Sequence, residues 1–147
     1  MPIKCTTPIS QIDEYMRQQF KRQEQALVNT FAYIGERCVN EARSYNGNAY
    51  QDQTGNLRSS VGYVVAVDGK IRSSSTFENV RNGEQGSRTG KEYATELVSR
   101  YPKGVVLIVV AGMNYAKYVE AKGYNVLTSA EMLAERLVPK LLNDLFK

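Results

Sequence analysis

Two short stretches place carboxylates beside a lysine, the residue types a metal-dependent nuclease would need to hold a cation against a phosphate: Asp52 with Asp68-Gly69-Lys70, and Glu120-Ala121-Lys122. Neither carries that chemistry well. Asp68-Gly69 lies between two apolar runs and is explained by the backbone geometry of a tight turn. Glu120 falls near the end of a short helix, where charges are ordinarily solvated. The chain has no histidine, which removes Ser-His-Asp and Cys-His arrangements and the commonest general base near neutral pH. Its two cysteines, Cys5 and Cys38, are too few for a zinc site without histidine and give no disulfide framework. Gly83, Gly86 and Gly90 are not followed by the Lys-Ser/Thr pair of a phosphate-binding loop. The expectation is therefore no catalytic set, no metal, no cofactor and no small-molecule substrate. Ten tyrosines and no tryptophan remain, among them Tyr115 and Tyr118, three apart and so on one helix face.

The elements that must carry these residues can be read from hydrophobic period. With 147 residues and 42% hydrophobic content the chain is sized for one domain with a real core. Its longest uncharged apolar run is far short of a membrane span, and the first residues lack the apolar core of an export signal. The net charge of +4 is modest and spread along the chain, unlike the clustered stripe of a dedicated nucleic-acid binder.

From about residue 10 to 45 the spacing predicts one long amphipathic helix. Ile12, Met16, Phe20, Leu27, Phe31, Ile34, Cys38 and Ala42 recur at three- and four-residue steps, interrupted by a polar belt at Lys21–Gln25. Ser10 is the expected cap and Asn46-Gly47-Asn48 the stop. A helix of this length either wraps the sheet or projects from the domain toward a neighbouring copy. Cys38 reads as a small buried hydrophobe. Thr54 or Asn56 can cap a short turn that carries Leu57 into the core.

Residues 61–77 read as a hairpin about Asp68-Gly69. A three-residue turn, pairing Val65 with Ile71 and Tyr63 with Ser73, is preferred over a two-residue turn because it keeps the apolar residues on one face. Residues 78–90 read as a mobile surface loop, followed by a short helix from Lys91 that Pro102 ends. The most apolar run, at 104–111, is the expected central strand. It does not alternate, so both faces need covers: the chain's own helices on one, and another subunit or the C-terminal helix on the other. Asn114 can cap a two-turn helix ending at Gly123. The last helix, about 129–146, opens with a capping box at Thr128-Ser129-Ala130-Glu131, and Pro139 should kink or divide it. The class is α+β, with helices packed on a small, mainly antiparallel sheet.

Two stretches together resemble the tailed-bacteriophage minor tail component family, also described as neck, tail-completion or head–tail joining proteins. They are Thr54-Gly55-Asn56-Leu57-Arg58-Ser59-Ser60-Val61, and Tyr115-Ala116-Lys117-Tyr118-Val119-Glu120 with Gly123. The family pattern is a Thr-Gly-Asn-Leu-Arg-type turn entering a strand, then a Tyr-Ala-x-Tyr-Val-Glu-x-Gly segment after a later strand. Here two residues, Ala121 and Lys122, separate Glu120 from Gly123 where the family usually has one, and Tyr124-Asn125-Val126-Leu127 replaces a Pro-Phe-type segment. The resemblance implies a non-catalytic virion protein that passes through the host cytoplasm during assembly. It would form a homo-oligomeric ring between a head-side connector and tail tube proteins. Thr54, Gly55, Asn56, Leu57, Arg58, Tyr115, Ala116, Tyr118, Val119, Glu120 and Gly123 would then be architectural. Arg81, Arg88 and Lys91 would be the contacts for DNA in the lumen or for an acidic neighbour. From the residues alone, a small nucleic-acid-binding module and, less well supported, a metal-dependent nuclease stay open.

Overall fold

The computed structural model describes residues 3–4, 6–44, 55–78, 82–113, 116–121 and 126–147, excluding the side chains of Ser44, Tyr118 and Val119. In chain order the elements are α1 (Ile9–Ser44), α2 (Asn56–Ser59), β1 (Val61–Val67), β2 (Lys70–Ser74), α3 (Glu84–Val98), β3 (Val105–Ala111), α4 (Ala116–Ala121) and α5 (Thr128–Leu145). The class is α+β, as the hydrophobic pattern implies. Tyr45–Thr54, which include the expected stop signal and Thr54, lie outside the described residues, as do Arg81, Asn114, Tyr115 and Gly123.

The three strands form an antiparallel sheet in the order β2-β1-β3. This corrects the expected centre. β1 is the middle strand and is buried at every position, whereas the apolar run of β3 lies at an edge. Both faces of β3 are nevertheless covered within the one chain. Val105, Leu107, Val109 and Ala111 pack with Val28, Ile34, Cys38 and Val39 of α1 and Ala130 of α5. Val106, Ile108 and Val110 pack with Ala94 and Val98 of α3. The second cover is thus α3, and neither another subunit nor α5 is needed for it.

α3 also corrects the mobile loop expected at 78–90, because Glu84 to Gly90 are its first two turns. Glycine lowers helix propensity by about 1 kcal/mol relative to alanine, so Gly83, Gly86 and Gly90 read as breakers. Their three- and four-residue spacing, continued by Ala94, instead makes a smooth face. A Cβ added to Gly86 would lie 1.9 Å from the Asn56 carbonyl oxygen, and one added to Gly90 2.4 Å from that of Ser60. Close backbone approach there more than offsets the helix penalty.

The hairpin departs from the preferred three-residue turn. Val67 pairs with Lys70 and Ala66 with Ile71 around a two-residue turn, and the register then shifts so that Val65 meets Ser73. Asp68 (φ 50°) and Gly69 (φ 80°) both take the left-handed conformation, which matches the twist of a two-residue hairpin. The extra residue on β2 is Arg72, a bulge. The slip that would bury charge is absorbed by this bulge, and Arg72 turns to α1, donating to Glu24 Oε1 (2.7 Å) and Gln25 Oε1 (2.9 Å).

Those two acceptors belong to the polar belt that interrupts the apolar stripe of α1, and they mark where α1 leaves the body of the domain. From Val28 onward one face is in the core. Before Glu24 nearly every residue is exposed. With 36 residues, α1 is about 54 Å long at 1.5 Å per residue, so it projects instead of wrapping the sheet. α5 runs uninterrupted through Pro139. Pro139 is exposed, and the expected division into two helices does not occur.

Candidate assembly surface

The Thr-Gly-Asn-Leu-Arg stretch, from Gly55 onward, builds a corner. Gly55 (φ 79°) precedes α2 and its carbonyl accepts the Ser59 amide at 2.9 Å. Asn56 Oδ1 accepts the Gly86 amide at 3.1 Å, joining α2 to α3. The Ser60 carbonyl accepts the Gly112 amide at 3.2 Å, joining the corner to the end of β3. Leu57 is buried with Ala116 of α4 and Val126 just before α5. The structure thus brings Leu57 of one stretch against Ala116 of the other. Arg58 is half-buried at the same corner.

Glu120 holds the next junction. Its Oε1 accepts the amides of Leu127 (3.0 Å) and Thr128 (2.8 Å) and the Thr128 hydroxyl. Burial pushes this carboxyl up, but the Thr128 hydroxyl and the two amides outweigh it and hold Glu120 below the usual carboxylate range. An acceptor anion at the exposed amides of a helix N-terminus is favourable on both hydrogen-bonding and dipole grounds. This replaces the expected capping box. Leu127 occupies the cap position of α5, no side chain there makes the cap bond, and the anchor comes from α4 instead. The signal available in the sequence was a carboxylate seven and eight residues before the start of a helix, which period analysis does not weigh.

The other candidate carboxylate is likewise occupied. Asp68 Oδ1 accepts the Gly104 amide at 2.9 Å, and the Asp68 amide donates to the Gly104 carbonyl at 3.0 Å. The acid therefore ties the hairpin turn to the start of β3. Among the described residues no group of three or more carboxylate or thiol ligands converges on a point. Cys38 is buried where α1 crosses α5, its thiol directed at the Ala130 carbonyl (3.5 Å). Burial raises its pKa; neighbouring Arg37 lowers it and Glu41 raises it further. A thiol so placed is an inert packing group.

Arg88 and Lys91 lie on α3, both exposed, not in a loop. They share the helix with Glu84, Glu92 and Glu96, so they form no basic stripe. The side chains of Tyr118 and Val119 lie outside the described residues. What stands out is unpartnered apolar surface. Ile9 (76%), Met16 (48%) and Phe20 (62%) are exposed on the projecting half of α1. A groove of about 650 Å³ runs along β3, walled by Ala130, Ala134 and Val138 of α5 on one side and by Leu97 and Tyr101 on the other. Sequence reasoning missed the groove, because it depends on β3 being an edge. No described helix is long and apolar enough to cross a membrane. No protein-family model, curated protein or solved structure matches the chain.

Proposed function

We propose that this chain is a structural component of a tailed-phage or prophage virion. In this reading it is a neck or tail-completion protein that joins head to tail as a homo-oligomeric ring, between a head-side connector and the tail tube proteins. The observation that carries the reading is where the two resembling stretches spend their side chains. Leu57 and Ala116 share one buried cluster, Asn56 pins α3 and Glu120 anchors α5. Polar residues that chemistry could have used are bound into the scaffold, as expected of a protein whose product is a shape. Exposed apolar surface on α1 fits a chain completed by neighbours. Arg88 and Lys91 are the candidate contacts for DNA in the lumen or an acidic neighbour. The test is deletion of the gene from the phage or prophage that carries it, read by electron microscopy of the lysate. DNA-filled heads beside separate, complete tails are expected. Intact tailed particles would sink the proposal, as would a gene neighbourhood without portal, capsid or tail tube genes.

A further inference from the structure

We propose that the projecting half of α1 of one copy docks into the groove beside β3 of a second copy. The inference goes beyond the virion reading and stands without it, since it concerns only the purified chain. The two surfaces fit each other in three respects.

The first is polarity along the stripe. Ile9, Ile12, Met16 and Phe20 lie on one helical face and are exposed. Gln19 and Gln23 fall on that same face, among the apolar residues and not opposite them. Such amides in a stripe are a defect against a purely apolar partner, because each carries donors and an acceptor that need partners when covered.

The second is the chemistry of the groove floor. Asp68 and Gly104, and Ser60 and Gly112, are bonded across the sheet, and the β1–β3 register continues between them without a shift. In an antiparallel ladder bonded and non-bonded pairs alternate, so the even-numbered residues of β3 bond to β1. The backbone groups of Val105, Leu107 and Val109 therefore turn outward along the open edge, where no strand of the described residues lies beside them. An apolar groove with a polar line along its floor is matched by an apolar stripe interspersed with glutamine amides.

The third is reach. The second half of α1 is locked in its own core by Ile34, Cys38 and Val39, and Phe31 and Cys38 themselves border the groove. The helix is continuous, so its first half cannot fold back onto that groove and must enter another copy's. The other sheet edge is an unsuitable acceptor, since β2 carries Lys70, Arg72 and a bulge, the devices that blunt an edge. Because arm and groove are different surfaces, the contact is made reciprocally in a pair or repeats head to tail, as a ring where the rotation closes and an open filament where it does not.

Sedimentation of the full chain from low micromolar to near-millimolar concentration tests this, with Met16→Glu/Phe20→Glu as the arm variant and Ala134→Lys as the groove variant. The arm residues are exposed, so that variant keeps its fold, checked by circular dichroism. Should Ala134→Lys unfold the chain, Tyr101→Glu changes an exposed residue of the groove wall instead. The wild-type mass is expected to rise with concentration, and each variant alone to lose at least tenfold in association. An equimolar mixture of arm and groove variants should form a two-chain species, because one intact arm then meets one intact groove. A wild type that stays monomeric, association that survives the arm variant, or a mixture that fails to pair would each overturn the proposal. The last would indicate arm-to-arm pairing. None of these results bears on the gene-deletion test of the virion reading.

Discussion

Replacing Glu120 by alanine removes the acceptor that anchors α5. Three donors lose their partner: the amides of Leu127 and Thr128 and the Thr128 hydroxyl. Loss of a helix cap costs about 1 kcal/mol, and hydrogen bonds to a charged group contribute about 1.5–3 kcal/mol. The site is partly wet, so the lower part of that range applies, and Glu120→Ala should cost about 2 kcal/mol in urea unfolding at neutral pH. At about 2–4 °C per kcal/mol for a chain of this size, the melting temperature should fall by about 4–8 °C. Glu120→Gln keeps one acceptor oxygen and loses only the charge, so it should fall between wild type and Glu120→Ala. The pH dependence has a definite sign. The folded-state pKa of Glu120 is depressed, so its contribution is present above the unfolded value of about 4.3 and is lost as pH falls through the folded value. Glu120→Gln should therefore lose less stability than wild type on acidification through that window. A second readout is local. Cys38 lies under Ala130 in the first turn of α5, so in a background lacking Cys5 its thiol should react faster with a sulfhydryl reagent in Glu120→Ala. An alanine variant with an unchanged urea midpoint and unchanged thiol reactivity would refute the anchoring role.

Four further substitutions test the packing. Gly86→Ala places a Cβ 1.9 Å from the Asn56 carbonyl oxygen and should destabilise by about 3 kcal/mol through overpacking. Gly104→Ala has open space but sits at φ 81°, and should cost only about 1–2 kcal/mol; a reversed order in urea midpoints would contradict the tight α2–α3 contact. Leu57→Ala empties a site 2% exposed and should cost about 2–5 kcal/mol, with faster amide exchange at α4 and the start of α5 because their shared cluster is lost. Pro139→Ala restores one intrahelical bond in an unbroken helix and should stabilise the chain by about 1–3 kcal/mol; a loss of stability would mean that the proline shapes α5 favourably.

The parts of this fold legible in the sequence are those written in hydrophobic period. The stripe of α1, the apolar runs of β1 and β3 and the stripe of α5 each announce an element, and Asp68-Gly69 announces the turn. What period analysis cannot carry is pairing. Whether Val105–Ala111 is central or at an edge depends on which neighbours bond to it, because β1, buried throughout, is an uninterrupted apolar run just as β3 is. The first half of α3 was hidden because glycines that serve close packing look like glycines that break helices, and only their spacing tells the two apart. The hairpin register turned on a bulge at Arg72, whose partners Glu24 and Gln25 lie far away in sequence. At the candidate site, the motif stretches pointed to Leu57, Ala116 and Glu120, but not to what they do. The projecting half of α1 was one of two readings of a long helix, and the choice depended on the size of the body it packs against.

The proposed role, joining head to tail, is tested most directly by in vitro complementation. Purified wild-type protein is added to a lysate of the gene-deleted phage, and infectious particles are counted. The account predicts that wild type restores plaque formation and that Leu57→Ala, with its corner loosened, restores less at equal concentration. Unjoined heads and tails that stay uninfective after addition of folded wild-type protein would contradict it.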